Sequence, residues 1–266
     1  MTQYDQQSGG AQIIDLNADL GEGYGPWTMG DDAAMFTIVT SANVACGGHA
    51  SDPETMYRTL CLAREHQIVV GAHPSFPDRE GFGRRRLPYA PAEIERFVAA
   101  QIGALIAIST LAEHPVRYVK PHGALANLGA EDRAVADALV RAIRAVDSSL
   151  AILAISGTVF ERSARDAGLS VFSEVFVDRG YDATGNLVPR DQSGALIEDA
   201  ETASDRIIRF LETGQMPVVG GGDVRLQVDS LCIHGDSAHA VAMARRVRDD
   251  LKAAGKTIAP FLALHQ

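Results

Sequence analysis

Ionisable side chains recur in this sequence at the points where short apolar runs end. The run at residues 69–72 ends in His73, and the segment "YVKPHGAL" (118–125) places Lys120 and His122 two positions apart. A histidine in such a place can move a proton, bind a metal ion or simply pack in the core. A buried lysine there would bind an anion strongly, whereas a surface lysine before a turn would have no role in a site. The spacing therefore predicts a site built from several strand ends.

Further polar residues follow the same pattern along the chain. They are Asp15, Asn17, Asp19, Glu22, Asn43, His49, Glu174, Asp178, Arg179, His234 and Asp236. In the first run Asp15, Asn17 and Asp19 alternate with apolar residues, so in a strand all three point to one face. Buried carboxylates are costly unless they are paired, protonated or bound to a cation. We interpret this face as functional, the alternative being a solvated turn or a helix cap.

The loop that follows His73 is dense in charge. Its sequence "PSFPDREGFGRRR" contains two prolines, two glycines and three consecutive arginines, Arg84, Arg85 and Arg86. Arginine binds carboxylate or phosphate through two parallel hydrogen bonds, so the cluster indicates capture of an anionic ligand. The alternative is an exposed run that pairs with acids of the chain itself.

Other short patterns carry weaker signals. The segment "CGGH" (46–49) is half of a zinc ligand set without a second half, so a structural zinc site is not expected. Cys46 is either a nucleophile or, as we expect, a small buried side chain. The glycine-rich "GGGDVR" (220–225) is a weak phosphate-loop candidate, and no G-x-x-x-x-G-K-[ST] motif is present.

Strands and helices are predicted to alternate through the chain. Strand-like runs occupy residues 13–19, 37–49, 68–73, 116–122, 150–156, 169–178 and 230–236, and helical stretches occupy 53–66, 91–111, 130–146, 158–167, 199–211 and 236–254. Near-continuous apolar strands indicate a parallel sheet that is covered on both faces, hence an α/β fold. A closed (β/α) barrel and an open doubly wound sheet both fit. The barrel is favoured because it would gather the polar strand ends at one mouth, and because no G-x-G-x-x-G follows the first strand.

Composition excludes several classes of protein. The chain has 266 residues, of which 46% are hydrophobic, and a net charge of −10, which disfavours binding to nucleic acid or anionic membranes. No apolar run approaches the ~20 residues of a membrane span. Three cysteines do not make a disulfide scaffold, and residues 1–12 resemble a flexible lead-in without a signal-peptide core. We expect a cytoplasmic protein.

Six ordered segments resemble the LamB/YcsF family over nearly the whole chain, from about Ile13 to His265. They are "DLNADLGEGYG", "SANVACGGHASDP", "GAHPSFPDREGFGRR", "KPHGALAN", "EVFVDRGYDATGNLVPR" and "CIHGD". Three positions depart from the pattern. Gly48 stands where a bulky aromatic residue is expected, Ser51 where glycine is expected, and Ala126 where tyrosine is expected.

The resemblance implies a distorted, seven-stranded (β/α) barrel over residues 13–266, a single domain similar to the glycoside hydrolase/deacetylase superfamily. It also implies ATP-dependent 5-oxoprolinase activity, the opening of 5-oxo-L-proline (pyroglutamate) to L-glutamate, with Mg²⁺ accompanying ATP and with partner subunits B and C. The residues it carries over are Asp19, Glu22, His49, His73, Lys120, His122, Glu174, Asp178, Arg179, His234 and Asp236.

Roles within the site are hypotheses. We assign catalysis to Asp19, Glu22, His73, Lys120, His122, Glu174 and Asp178. We assign substrate or phosphate binding to Asn17, Asn43, Arg85, Arg179, His234 and Asp236. Arg85 or Arg179 would hold the substrate carboxylate, Lys120 would offset phosphate or oxyanion charge, and a histidine, His73 or His122, would be the base for water. ATP would bind mainly on a partner.

Two other functions compete with this one. The first is a stand-alone, metal-dependent amidohydrolase or deacetylase acting on a lactam, an amide or a sugar, with ligands drawn from Asp19, His49, His73 and His122. The second is a carbohydrate-binding or regulatory module on an inactive barrel. An aromatic content of 6% with a single tryptophan, Trp27, disfavours a carbohydrate-binding surface.

Overall fold

The computed structural model of the chain describes residues 13–235 and 239–264. The predicted tail at 1–12, Asp236 and His265 lie outside the described residues. The strands are β1 (Ile13–Leu20), β2 (Ser41–Ala45), β3 (Val69–His73), β4 (Val116–Val119), β5 (Ala151–Ile155), β6 (Val171–Phe176), β7 (Gln215–Pro217), β8 (Asp223–Arg225), β9 (Ser230–Ile233) and β10 (Thr257–Ile258).

Seven parallel strands close into a barrel. Their order is β1-β2-β3-β4-β5-β6-β9, and β9 pairs with both β6 and β1, which closes the ring. The short β10 pairs in parallel with the start of β1, outside the ring. The predicted seven-stranded barrel is therefore confirmed, and the open doubly wound sheet is excluded. All seven strands end at the same mouth, as parallel strands in a barrel must.

Helices cover the outside of the barrel. They are α1 (Asp32–Phe36), α2 (Pro53–Glu65), α3 (Pro91–Leu111), α4 (Gly123–Glu131), α5 (Arg133–Val146), α6 (Val159–Asp166), α7 (Ala200–Thr213) and α8 (Ala240–Ala253). Local sequence explains their ends. Asp52 accepts hydrogen bonds from the amides of the first turn of α2, with Pro53 at the first helical position, and Gly214 ends α7 with φ of 69°.

The structure differs from the sequence prediction in several places. The predicted helix 130–146 begins only at Arg133, because the Asp132 side chain caps α5 through the amides of Ala134 and Val135, and the preceding residues belong to α4, a separate helix that the sequence analysis does not predict. The predicted strand 37–49 shrinks to Ser41–Ala45. The "GGGDVR" segment forms the exposed turn and second strand of the β7–β8 hairpin, with Gly220, Gly221 and Gly222 all at positive φ, and so is not a phosphate loop at the mouth.

Helix α3 is apolar and long enough, by composition and length, to cross a membrane. The sequence prediction had recognised no stretch of that kind. In the fold α3 instead packs between α2 and α5, and its buried side chains Ile94, Val98, Ile102 and Leu105 cover the barrel. Its apolar character follows from this position between the sheet and two neighbouring helices.

Candidate active site at the barrel mouth

A buried polar network forms the floor of the barrel mouth, and Lys120 is at its centre. Lys120 follows β4 and is 3% exposed. Its Nζ lies 3.0 Å from Asp19 Oδ1 and 2.9 Å from Glu174 Oε1, and donates to the Sγ of Cys232 at 3.0 Å. Its Nζ also lies 5.1 Å from the ring centroid of Phe176. One buried ammonium group thus reaches across the barrel from the end of β4 to carboxylates on β1 and β6, the two strands that flank β9.

Asparagines hold the two carboxylates in place. Asn17 donates to Glu174 Oε1 at 3.0 Å, and Asn43 donates to Asp19 Oδ1 at 2.8 Å and to Asn17 Oδ1 at 2.7 Å. The hydroxyl of Tyr118 donates to Asn43 Oδ1 at 2.7 Å. Asn17 and Asn43, predicted to contact substrate or phosphate, are fully buried in this network and orient the groups that line the cavity.

The charges of this floor depend on one another. Burial alone would raise the pKa of Asp19, but His73 and Lys120 outweigh burial and hold that pKa well below its ordinary value. Burial alone would lower the pKa of Lys120, but the neighbouring Asp19 and Glu174 carboxylates raise it well above the ordinary value. For Glu174 burial prevails over Lys120, so its pKa is raised. Glu174 Oε2 has no hydrogen-bond partner among the described residues.

Deeper in the barrel, Asp15 lies at the end of the same buried network, which reaches it through Ser230 Oγ, the acceptor of a hydrogen bond from Asn17 at 2.6 Å. Its carboxylate accepts from Thr40 Oγ1 at 2.6 Å and Ser41 Oγ at 2.7 Å, and it also contacts the Ser230 hydroxyl. Burial raises the pKa of Asp15 to about 6 despite these hydrogen bonds. The prediction that Asp15, Asn17 and Asp19 face inward agrees with this geometry, since all three are buried inside the ring.

Three histidines and a glutamate meet beside this floor. His73 ends β3, His122 precedes α4, His49 follows β2 and Glu22 follows β1. One ligand atom from each of the four lies within 4.8 Å of the others, and all four residues are buried. The rings of His49 and His122 stack with centroids 3.8 Å apart. Among the described residues this is the group of histidine and acidic side chains whose geometry fits a metal ion.

Burial governs the protonation of this histidine cluster. It lowers the pKa of His49 to about 3, and it lowers the pKa of His122 well below the ordinary value, with the neighbouring histidines adding to the effect. Both rings are therefore neutral near pH 7, each with a lone pair on one nitrogen.

The charged loop after His73 packs over the histidines. Asp78 folds it by accepting from the amide of Gly81 at 3.0 Å and from Arg85 Nε at 3.0 Å. Gly83 has φ of 64°, and a Cβ there would lie 2.1 Å from Ser75 Oγ and 2.8 Å from His49 Cβ. The Gly83 carbonyl accepts from the amide of Ala124 at 2.9 Å. Only glycine fits where this loop meets the histidine cluster.

A cavity of about 490 Å³ opens above the floor, a size typical of small-molecule sites. Its polar lining residues include Asp19, His73, Arg84, Lys120, His122, Glu174, Arg179, Arg190, Asp191 and His234. The apolar part includes Leu153, Ile155, Phe176 and Leu187. The arrangement joins an apolar wall, basic groups near the rim and a buried ammonium–carboxylate pair at the floor.

The structure separates the predicted arginines by role. Arg85 pairs with Asp78 and leaves its side chain 57% exposed, while Arg84 of the same run lines the cavity. Arg179 is buried and donates to the carbonyls of Ala195 at 3.0 Å and Val188 at 2.7 Å. Burial lowers the pKa of Arg179 to about 10. The pairing of Arg85 with Asp78 favours Arg84 over Arg85 as the residue nearer to a bound ligand, and Arg179 holds the loop at 188–195 while it also lines the cavity.

Asp178 and His234 form a separate ion pair at the rim. Asp178 Oδ2 lies 2.8 Å from His234 Nδ1, and His234 is itself a cavity residue. Burial alone would raise the pKa of Asp178, but His234 outweighs it and the pKa is lowered. Both were predicted as site residues. Asp236, predicted beside them, lies outside the described residues.

Two of the unusual positions also have structural explanations. A Cβ at Gly48 would lie 2.3 Å from Gln101 Oε1, so the buried Gln101 side chain occupies the space beside this glycine. Gln101 holds the loop by accepting from the Ser75 amide at 2.9 Å and donating to its carbonyl at 2.7 Å. Ala126 lines the cavity, so its small side chain leaves room there. Sequence reasoning missed Gln101, because nothing near it in the chain indicates a site.

Cys46 is not an activated nucleophile. It is buried, and burial raises the pKa of its thiol to about 12. Its Sγ accepts from the His73 amide at 3.1 Å. The expectation of a small buried cysteine agrees with this environment.

Comparison with known proteins identifies the family to which this chain belongs. The sequence profile of the LamB/YcsF family matches residues 14–266. The chain belongs to the LamB/YcsF family. Within it, the 5-oxoprolinase A subunit of Gluconobacter oxydans (strain 621H) is 51% identical over 245 residues, which is 92% of this chain and 96% of that protein. The 5-oxoprolinase A subunit of Azorhizobium caulinodans is 48% identical over 248 residues, covering 93% of this chain and 98% of the relative.

Solved structures agree with this LamB/YcsF membership. The lactam utilization protein from Thermus thermophilus superposes with a TM-score of 0.88 at 42% identity, covering 93% of this chain and 99% of the other. A cellobiose-phosphate cleavage protein from Enterococcus faecalis V583 has a TM-score of 0.55 at 13% identity, covering 95% and 98% of the two chains. That second likeness concerns the barrel fold alone.

Proposed function

We propose that the chain is the A subunit of an ATP-dependent 5-oxoprolinase, and that its barrel mouth opens 5-oxo-L-proline to L-glutamate. The observation that carries the proposal is the floor network, in which the Lys120 ammonium lies between Asp19 and Glu174 beneath a cavity of about 490 Å³. The names of relatives at 48–51% identity support it, and they do not favour the stand-alone amidohydrolase.

The substrate of this reaction is a small, anionic lactam, and the cavity suits both of its halves. Phe176 and Leu187 give an apolar wall for the ring methylenes, and Arg84 and Arg190 line the same cavity with positive charge for the carboxylate. The lactam oxygen would then point down toward Lys120. An ammonium held in a dry site stabilises negative charge developing on such an oxygen far better than water does.

Lactam hydrolysis needs activation because an amide carbonyl is a poor electrophile. In the proposed reaction the lactam oxygen takes the γ-phosphoryl group of ATP and ADP leaves. Water then adds to the carbonyl carbon, and the ring C–N bond breaks with a proton going to nitrogen, which leaves an acyl phosphate on the opened chain. A second water hydrolyses this acyl phosphate to give glutamate and inorganic phosphate. Lys120 would offset the charge on the phosphorylated oxygen throughout.

Glu174 is the best-placed proton acceptor for the attacking water. Its Oε2 has no hydrogen-bond partner among the described residues, its side chain lines the cavity, and burial raises its pKa above the ordinary value. His122 suits this role less well, since burial lowers its pKa and its Nδ1 lies 3.0 Å from His73 Nε2. Glu174 thus replaces the histidines as the proposed base.

ATP, with its Mg²⁺, is proposed to reach the site from a partner subunit. The sequence has no P-loop, and the glycine-rich turn of the β7–β8 hairpin is exposed and away from the cavity lining. Subunits B and C are the proposed partners, and a cytoplasmic location follows from the use of ATP. The single domain over 13–266 remains a prediction.

Reconstitution tests this function. Glutamate would be measured from 5-oxo-L-proline and ATP with this chain alone, with subunits B and C alone, and with all three. The proposal expects glutamate only from the complete mixture with ATP. Turnover by this chain alone without ATP would instead support the amidohydrolase alternative, and no turnover with partners shown active beside the Gluconobacter relative would refute the proposal.

A further inference from the structure

The histidine cluster has a hydrogen-bond arrangement that fixes where its lone pairs point. His73 Nδ1 lies 2.7 Å from the Lys120 carbonyl, and His122 Nε2 lies 2.9 Å from the Phe82 carbonyl. A carbonyl oxygen only accepts, so both of these ring nitrogens carry the proton. The other nitrogens, His73 Nε2 and His122 Nδ1, therefore present lone pairs, and they face each other at 3.0 Å.

Two lone pairs at that distance require a cation. A shared proton is one solution, and Asp19 Oδ2 at 3.3 Å from His73 Nε2 would help to stabilise it. A metal ion is the other, and the surroundings favour it. Ligating histidines nearly always donate their second ring N–H to a carbonyl or carboxylate, and this is the arrangement at both His73 and His122.

Two more donor groups converge on the same point. Glu22 Oε1 lies 3.8 Å from His122 Nδ1 and 2.9 Å from His49 Nε2. His49 Nδ1 has no hydrogen-bond partner among the described residues, so a turn of the ring that presents a lone pair to an ion would break no hydrogen bond of that nitrogen. Ligand atoms in a tetrahedral zinc site lie about 3.3–3.4 Å apart, given Zn–N bonds of ~2.0–2.1 Å. The observed separations run from 2.9 Å to at most 4.8 Å, so the widest would have to close by up to about 1.5 Å when an ion binds.

We infer that Glu22, His49, His73 and His122 form a binding site for a borderline transition-metal ion such as Zn²⁺. Three imidazoles and one carboxylate suit Zn²⁺ or Co²⁺, and they suit Mg²⁺ poorly because Mg²⁺ prefers oxygen ligands. The site is therefore distinct from the ion that accompanies ATP. Its ligand set also differs from the sequence prediction: Glu22 takes the place of Asp19, whose Oδ1 is engaged by Lys120 and Asn43.

The location indicates a positioning role. His73 and His122 line the cavity, whereas Glu22 and His49 lie behind them and beneath the loop at Phe82 and Gly83. A metal ion there would lock the ends of β1, β2 and β3 to the start of α4. The inference concerns binding and stands whether or not the proposed reaction is correct.

Binding of Co²⁺ and Zn²⁺ to the chelator-treated full chain tests this directly. Wild type is expected to bind one equivalent, with the intense visible absorption bands of four-coordinate Co²⁺ that Zn²⁺ then abolishes. His122→Gln and Glu22→Gln should each weaken binding by at least about 10-fold. His66→Gln is the matched control, since His66 is an exposed histidine at the end of α2 and should leave binding unchanged.

Far-ultraviolet circular dichroism would show that each variant is folded. If His122→Gln does not fold, Glu22→Gln alone decides. Three results would overturn the inference and leave the shared proton as the cation. The folded wild type could fail to bind either ion, His66→Gln could weaken binding as much as the ligand variants do, or bound Co²⁺ could show the weak absorption of six-coordinate geometry. None of these outcomes depends on glutamate formation.

Discussion

Removal of the buried ammonium group is the perturbation whose size the structure predicts best. In Lys120→Met the side chain keeps a similar length but loses its charge. Asp19 and Glu174 would then lose the cation that lies 3.0 Å and 2.9 Å from them. Both carboxylates are at most 4% exposed, so water replaces the ammonium group only poorly. Breaking a buried ion pair by removing one partner typically costs about 3–5 kcal/mol.

That cost should depend on pH, with a sign that can be worked out. In the wild type the pKa of Asp19 is lowered, so its contribution to stability is present above its unfolded pKa and lost as pH falls through the folded value. Without Lys120, the pKa values of both Asp19 and Glu174 would rise, and that of Asp19 would rise less because His73 still opposes burial. The variant would then gain stability by binding protons as pH falls. The difference between the two proteins should shrink from about pH 7.5 to about pH 5.

Urea unfolding of wild type, Lys120→Met and Lys252→Met at both pH values measures this. Lys252 is an exposed lysine in the last turn of α8, so Lys252→Met should change stability by less than ~0.5 kcal/mol. The double variant Lys120→Met/Glu174→Gln should recover part of the loss, because it removes one of the stranded charges. A cost below about 1 kcal/mol for Lys120→Met, or one that grows as pH falls, would refute the assigned network.

Three further predictions concern the loop, the deep carboxylate and the arginines. Gly83→Ala should lower the melting temperature more than Gly255→Ala does. Both glycines have positive φ, but only at Gly83 would the new Cβ collide with Ser75 and His49. Equal losses in the two variants would contradict the loop packing. The folded pKa of Asp15, about 6, lies above its unfolded value, so the stability of the protein should fall as pH rises through about 6. Thermal melts of Asp15→Asn should show no such fall. A pH profile identical to that of the wild type would exclude Asp15 as the cause of the fall. In the reconstituted complex, Arg84→Gln should raise KM for 5-oxoproline by about 10-fold or more, while Arg85→Gln should leave KM nearly unchanged. A larger rise in KM for Arg85→Gln than for Arg84→Gln would restore Arg85 as the residue that binds the substrate carboxylate.

The strand ends could be predicted because two strong signals coincide there. An apolar run that stops at Asp19, His73 or Lys120 marks both the end of a strand and a polar group that has to be accommodated. Parallel strands then bring those ends together without any knowledge of side-chain geometry. For the same reason, the alternation of strand and helix was enough to predict a ring of seven parallel strands. That the ring closes through β9 could be seen only in the structure.

Pairwise geometry could not be predicted in the same way. Arg84 and Arg85 are adjacent and chemically identical, and only the fold of the loop around Asp78 turns one to the cavity and the other to solvent. Gln101 lies on α3, far along the chain from Ser75, so its pairing with that loop has no local signature. The break at Asp132 had a signature, an aspartate followed by a helical run, which the amphipathic pattern of α5 obscured.

The most direct test of the central claim, that the lactam opens at this barrel mouth, is the kcat for glutamate formation by complexes rebuilt with Glu174→Gln. The matched control is Glu113→Gln, whose carboxylate is 81% exposed and lies far from the cavity lining. The account predicts a loss of about 100-fold or more in kcat for Glu174→Gln with the complex still assembled, and wild-type turnover for Glu113→Gln. Full turnover by an assembled Glu174→Gln complex would contradict it, because the proposed base would then have no part in opening the ring.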